Sequence, residues 1–465
     1  MVNDFADELN KFSGKFLVKE SASIICNPYY HKFIPGMERL IRLSRQQKYQ
    51  TSPMEHLGLQ LAILQTLEQM DGAVSEGKAL AKKENSESIA LRQRQNKYLA
   101  RAYREIGDGI AWRTLDYSRF RMRILSQGRS AGHTDNKAGR KAETDLAMAC
   151  ISNGNRVIIN DATTSVRIGD LIGVIPDGKF ILTEVKKGKK EPRPITVTSI
   201  MRKLKANQPL TKQEGRLLQA QYHIDSNTFP VGADDIPVTY LEHDTQNFLA
   251  ETQNILRQAA RKGIYGKFVA PYMYVEAIDL PKLGTLDYKK LLSQPKVSDF
   301  EPIAMFTSYD RVALNYHNEA VRNSPPYTVF PFTPNTVAKL ITGEFELRAV
   351  LYREPLVEKF RELGWELNIN ESALDNYKPI TTAENVAYFS SEDLFPEPLN
   401  DPNDVMTLKK GAYTVSAFNL ILGMVQDFFA AENVISFVEA GMKTATPGKS
   451  AGIYPESLSE RKLWK

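Results

Sequence analysis

Residues 169–190 read GDLIGVIPDGKFILTEVKKGKK, two apolar runs bent around Pro176-Asp177-Gly178. Alternating strands with a Pro-Asp-Gly connection predict a three-residue hairpin loop, a type I turn closed by glycine in the left-handed conformation. Ile175 then pairs with Lys179, and the same register sets Asp170 directly opposite Glu184, with Cβ atoms roughly 4.5–5.5 Å apart. Side chains alternate faces along a strand, so Lys186 shares the face of Glu184, as do Ile172, Val174, Phe180 and Leu182. A two-residue loop would put Asp170 opposite Val185 instead, but Pro-Asp-Gly favours the longer turn.

Two carboxylates facing each other on an apolar surface repel and lose hydration. A divalent cation between them reverses the sign of that interaction, and Mg²⁺, with Mn²⁺ as a substitute, suits one or two carboxylates plus a substrate phosphate. Lys186 beside them can orient an attacking water or pair with the phosphate. Asp170, Glu184 and Lys186 are therefore the candidate catalytic residues of a metal-dependent phosphodiesterase.

On these residues the chain resembles the PD-(D/E)XK nuclease superfamily, the restriction-endonuclease-like fold. Asp170 matches the metal-binding acid and Glu184-Val185-Lys186 the (D/E)-x-K, and the order helix, three strands, helix, strand fits residues 137–245. The resemblance covers about a quarter of the chain. It implies an α/β core, a central mixed sheet flanked by helices, with metal on Asp170 and Glu184. A glutamate on the preceding helix often joins them in the family. Glu143 fits that role because it shares a helical stripe with Leu146, Ala147 and Cys150, where a carboxylate is otherwise out of place. The following helix often supplies a further polar residue, and Arg216 and Gln219 are the accessory candidates. The spacing Gln219-x-x-Tyr222 departs from the Gln-x-x-x-Tyr of one branch.

Charge adds a nucleic-acid partner to this reading. Residues 92–141 hold 13 Lys and Arg against 4 Asp and Glu, and residues 186–216 hold 10 against 2, although the whole chain is only +5. Two basic blocks flanking the hairpin are the footprint of a polyphosphate partner. Lys187, Lys189 and Lys190 extend the second strand, Arg140 lies just upstream, and the alternation of Arg119, Arg121 and Arg123 suggests one face of a strand or an extended arm along DNA. RNA is not excluded as substrate. Solvated faces, with the aromatics of 111–125 packed inward, explain the same residues without a partner.

The chain's 465 residues allow two or three domains. Residues 1–125 read as a helical N-terminal domain, 126–290 as the nuclease-like domain, and 291–465 as an α+β domain with no interpretable motif. Two cysteines, Cys26 and Cys150, make no disulfide framework and favour a cytoplasmic setting. The acidic N-terminus is not a signal peptide, and the apolar stretch 415–441, interrupted by Asp427 and Glu432, reads as a buried helix rather than a membrane span. Gly448-Lys449-Ser450 is not a phosphate loop, because Lys443 stands where that loop needs glycine. The expectation is a DNA nuclease of anti-phage defence or restriction, gated by a partner protein or by a second copy of itself. Its rivals are a binding or scaffold protein with a degenerate nuclease fold, and a repair or recombination nuclease for branched DNA.

Overall fold

A computed structural model describes residues 29–81, 87–127, 137–186, 193–231, 234–241, 246–283, 299–308, 325–370, 406–411, 413–444 and 454–457. Helices and strands are mixed along the chain, which divides into two compact units. One holds residues 29–240, 319–342 and 451–465, and the other the rest.

In the first unit, α1 (Ile34–Ser44), α2 (Gln47–Thr51), α3 (Pro53–Ala81), α4 (Glu87–Thr114) and α5 (Arg119–Leu125) precede α6 (Lys137–Ser152). The apolar spacing that predicts α3 is buried as expected, through Leu57, Leu64 and Leu67. Gly154, at φ +77°, ends α6 in the left-handed conformation, donating to Ile151 O while Asn155 reaches back to Cys150 O. Strands β1 (Arg156–Ile159), β2 (Leu171–Val174), β3 (Phe180–Lys186) and β4 (Arg193–Thr196) follow, then α7 (Val197–Lys205), α8 (Lys212–Ser226), β5 (Thr228–Val231) and β6 (Asp234–Leu241). Pro334–Ile341 forms α9, packed on α1, and Tyr454–Ser457 forms β7, at the edge of β6 and β5.

Strands β1 to β4 make one sheet in sequence order, each pair antiparallel. This corrects the expected mixed sheet. A parallel neighbour needs a crossover, usually a full helix, whereas residues 160–170 between β1 and β2 hold only the single turn Asn160–Ala162, and β2 pairs antiparallel with β1. Of the PVTYLEH stretch expected to complete that sheet, the described part, through Leu241, belongs to β6 and lies between β5 and β7.

The boundary expected at residue 125 is also absent. Gln60 on α3 donates to Val157 O at 2.7 Å and accepts from Ile159 N–H at 2.8 Å, so the helix ties directly into β1. On α4, a Cβ at Gly107 would stand 1.8 Å from Ala162 O, so only glycine lets the chain after β1 come this close. The helical N-terminal segment and the hairpin sheet share one core.

The second unit is built on strands 264–270, 273–279, 345–352 and 302–307 in that spatial order, with the helix Leu249–Lys262 packed on it. The run expected as one strand, KFVAPYMYVEAIDL, is a hairpin instead, its two strands paired with a shift between Phe268 and Ala270. The long apolar stretch is likewise two helices, Phe418–Asp427 and Ala431–Thr444, broken at Phe428 in the left-handed conformation.

Candidate active site

The hairpin forms in the expected register. Ile175 N–H donates to Lys179 O, Gly178 has φ +85°, and Leu171, Ile172 and Val174 stand opposite Thr183, Leu182 and Phe180. One step further out, Asp170 N–H donates to Thr183 O at 2.8 Å, and Asp170 Oδ2 accepts from Val185 N–H at 2.6 Å. Asp170 is thus locked against the strand that carries Glu184. Along that strand exposure climbs from the Leu182 residue at 0% to the Glu184 side chain at 12% and that of Lys186 at 42%, so the acids sit where the core meets solvent. Lys186 Nζ lies 2.7 Å from Glu184 Oε1 and also donates to Gln213 Oε1 on α8.

The backbone around Asp170 is held from β1. Asn160 donates through Nδ2 to Ile168 O at 2.9 Å and to Gly169 O at 2.8 Å, and its own N–H reaches Asp170 O at 3.0 Å. Gly169 is required twice over: φ is +76°, and a Cβ would come 2.8 Å from Thr183 O.

Glu143, one face of α6, belongs to the same electrostatic neighbourhood. Burial, followed by repulsion from Asp161 and Asp170 and more weakly from Glu184, pushes its carboxyl up to about 8, against the pull of Arg140. Burial likewise raises Asp170 to about 6. The Val185 N–H and Lys186 oppose that rise, and Glu184 and Asp161 add to it. Asp161, on the turn after β1, is raised chiefly by burial and restrained by Arg140 and Arg104. Sequence reasoning missed Asp161 and Gln213. The only trace of Asp161 is an acid two residues past Ile159, the end of the apolar run of β1, and Gln213 carries no signal at all.

Two of these four carboxylates are pushed up chiefly by burial and secondarily by their acidic neighbours, and a bound cation would offset both effects. An all-oxygen donor set suits a hard cation such as Mg²⁺ or Mn²⁺. Among the described residues, no three Asp, Glu, His or Cys side chains are arranged to hold a metal ion. The carboxylates feel one another without closing a ligand shell.

The accessory and phosphate-binding expectations fare differently. Arg216 and Gln219 on α8 line a small pocket that includes none of the four carboxylates, Lys186 or Gln213. Arg140 is not an open cation: it bonds Glu68 Oε1 at 2.9 Å and Leu64 O at 3.3 Å, with its side chain 11% exposed. Arg119, Arg121 and Arg123 lie on helix α5, not on a strand or arm, because Ser118 caps it and Phe120, Met122, Ile124 and Leu125 bury their side chains. Alternate residues on a helix diverge rather than align. The Arg121 guanidinium sits 4.5 Å from the Phe180 ring centroid and that of Arg123 4.5 Å from Phe229. Lys187, Lys189 and Lys190 lie outside the described residues. No helix among the described residues is long and apolar enough to cross a membrane.

No protein-family model matches the chain, and neither a characterised protein nor a solved structure matches it.

Proposed function

We propose that the protein is a divalent-metal-dependent nuclease that hydrolyses phosphodiester bonds in DNA. The observation that carries this reading is that Asp170, one residue beyond the Leu171–Thr183 pair, is bonded to the backbone on either side of Glu184, with Lys186 bonded to Glu184 and Glu143 raised by burial and then by the neighbouring carboxylates. A cation held by Asp170, Glu184 and Glu143 would neutralise phosphate charge as the bond breaks. Glu143 fixes one side of the cluster from α6, and Asp170 is oriented by the Val185 N–H. Lys186 is kept in reach of a phosphate oxygen or a water by Glu184 and Gln213. Restriction or anti-phage defence, with a gating partner or a second copy, is the setting this design serves.

Binding nucleic acid without cleavage is the second reading, favoured by the carboxylates that stop short of a ligand shell. One assay separates the two. Supercoiled and linear DNA incubated with purified protein and Mg²⁺ or Mn²⁺ should be cut, with Asp170→Asn and Lys186→Ala lowering the rate at least about a hundredfold while binding persists. If wild type shifts DNA in a gel but cuts none, or if both variants cut like wild type, the nuclease reading fails. Branched, single-stranded and RNA substrates in the same series identify the preferred nucleic acid.

A further inference from the structure

Helix α8 carries a second stripe besides the one that meets β3. Arg216, Gln219, Ala220 and His223 follow at helical spacing, and with Gln127 and Ile168 they line a pocket of about 190 Å³. His223 is buried, and its Nε2 makes no hydrogen bond in the fold.

The hydrogen bonds behind His223 decide what that nitrogen offers. Ser226 Oγ donates to Tyr222 O at 2.7 Å, so its oxygen must accept from Thr228 Oγ1, 2.7 Å away. With its proton spent there, Thr228 Oγ1 can only accept from His223 Nδ1 at 3.2 Å. Asp235 Oδ1, 3.7 Å from Nδ1, favours a proton at the same place. Burial disfavours the doubly protonated ring. His223 is therefore the Nδ1–H tautomer, and Nε2 is a bare acceptor.

The ligand must bring a donor to Nε2 and an acceptor edge to the Arg216 guanidinium. Orthophosphate dianion can donate one P–OH proton to Nε2 but has no flat apolar face to set against Ile168 and Ala220. Adenine offers the guanidinium only the single acceptor N7 on that edge, because the neighbouring N6 donates, so arginine gains one bond instead of two. Guanine has the required polarity: O6 and N7 accept from arginine, while N1–H and the 2-amino group donate from the next edge. The carboxamides of Gln127 and Gln219 offer both functions, and Ile168 and Ala220 give the flat ring an apolar contact. We propose that this pocket binds a guanine base. Because the Watson–Crick edge is engaged, the base must be unpaired: either a free guanine nucleotide or a guanine in single-stranded nucleic acid. The assignment does not depend on the carboxylate cluster or on DNA cleavage.

Calorimetric titration of the full chain tests it. GMP should bind at least about tenfold more tightly than AMP, CMP or inorganic phosphate, a difference of about 1.4 kcal/mol. The 7-deaza analogue of GMP, which lacks the N7 acceptor, should lose about tenfold, and so should GMP on Arg216→Ala or Gln219→Ala, both at exposed positions. Nitrogen-15 NMR should report His223 protonated at Nδ1, with the Nε2 resonance moving on GMP addition. Short thymidine strands with and without one central guanine separate the two sources. Tighter binding of the guanine strand than of GMP assigns a chain-borne base, and the reverse assigns a free nucleotide. Absence of GMP binding, equal binding of phosphate, insensitivity to Arg216→Ala in a folded variant, or a proton on Nε2 overturns the proposal.

Discussion

At the scale of single residues, the candidate site depends on a few backbone decisions made next to Asp170. Gly169 combines a left-handed φ of +76° with a close approach to Thr183 O. An alanine there carries the roughly 1–2 kcal/mol cost of that conformation plus a clash with backbone that cannot move aside. Gly169→Ala should therefore lower the urea midpoint by the equivalent of at least about 2 kcal/mol at unchanged slope. It should also reduce DNA cleavage by displacing Asp170; unchanged midpoint and activity would mean that the strand accommodates the methyl. The alternation around Pro176-Asp177-Gly178 was readable because turn chemistry and strand period are local. That Gly169 must be glycine was not, because its neighbour, Thr183 O, is supplied by the other strand. Asp161 was hidden for the same reason: only the fold brings it within range of Glu143 and Asp170. A second residue answers to pH. His56 is buried, with Nδ1 donating to Tyr49 O at 3.1 Å, and burial pushes it down to about 4. Above the ordinary imidazole value both folded and unfolded chains hold it neutral. Between about 6.5 and 4 only the unfolded chain takes up this proton, so the stability that His56 contributes falls with falling pH by up to about 1.4 kcal/mol per pH unit, while the raised carboxyls of Glu143 and Asp170 act in the opposite direction. The stability of wild type relative to His56→Gln should fall as pH drops across that window; a difference constant with pH would remove His56 as a contributor.

At the scale of elements, α8 acts as a splint for β3. Its start is fixed by the capping box, in which Glu214 N–H donates to Thr211 Oγ1 and Thr211 N–H to Glu214 Oε2 at 2.9 Å, and Lys203 Nζ reaches Glu214 Oε1 at 2.5 Å. Two turns on, Gln221 stands in for a missing strand, accepting from Leu182 N–H at 3.0 Å and donating to Phe180 O at 2.8 Å. Strand β4 pairs only with residues 183–186, so without Gln221 those two groups would be buried unbonded. Gln221→Leu should cost about 2 kcal/mol or more, while Thr211→Ala should cost about 1 kcal/mol. Hydrogen exchange should locate the first loss at Leu182; protection there equal to wild type would show that another group replaces the glutamine. The capping box was legible from Thr211-x-x-Glu214 because both partners lie in one turn. The roles of Gln213 and Gln221 were not, since nothing in the helical spacing says which stripe meets the strand. The arginines of α5 mislead for a related reason: alternation of Arg with Phe, Met and Ile over a short segment suits a strand as well as a helix, and the Ser118 cap and core packing decide.

At the scale of the whole molecule, composition suggested domains in series, whereas the unit carrying the candidate site is assembled from separated segments. Residues 325–342 return to the helical layer. Tyr327 N–H donates to Glu105 Oε1 at 3.2 Å, Thr328 Oγ1 donates to Glu105 O at 3.0 Å, and Arg45 donates to Phe330 O at 2.8 Å. Tyr327, Phe330 and Phe332 are each fully buried there. No local pattern reveals this, because the residues that receive the segment lie some 200 positions earlier. It follows that a fragment cut at the apparent boundaries, residues 126–290, should not fold: it lacks α3 and α4, on which β1 is built, and the returning segment as well. Residues 29–240 expressed alone would keep the hairpin yet lose the three aromatic side chains. In the intact chain, Phe330→Ala should cost about 3–5 kcal/mol. Because that residue packs in the unit carrying Asp170, the loss should appear as faster hydrogen exchange in β1–β3 as well as near the mutation. Faster exchange confined to residues 325–342, with β1–β3 unchanged, would instead make the returning segment an appendage that opens on its own. Cooperative unfolding of the isolated 126–290 fragment would restore the simpler series of domains. The experiment thus decides whether the carboxylate cluster rests on the hairpin sheet alone or on a core closed by three distant parts of the chain.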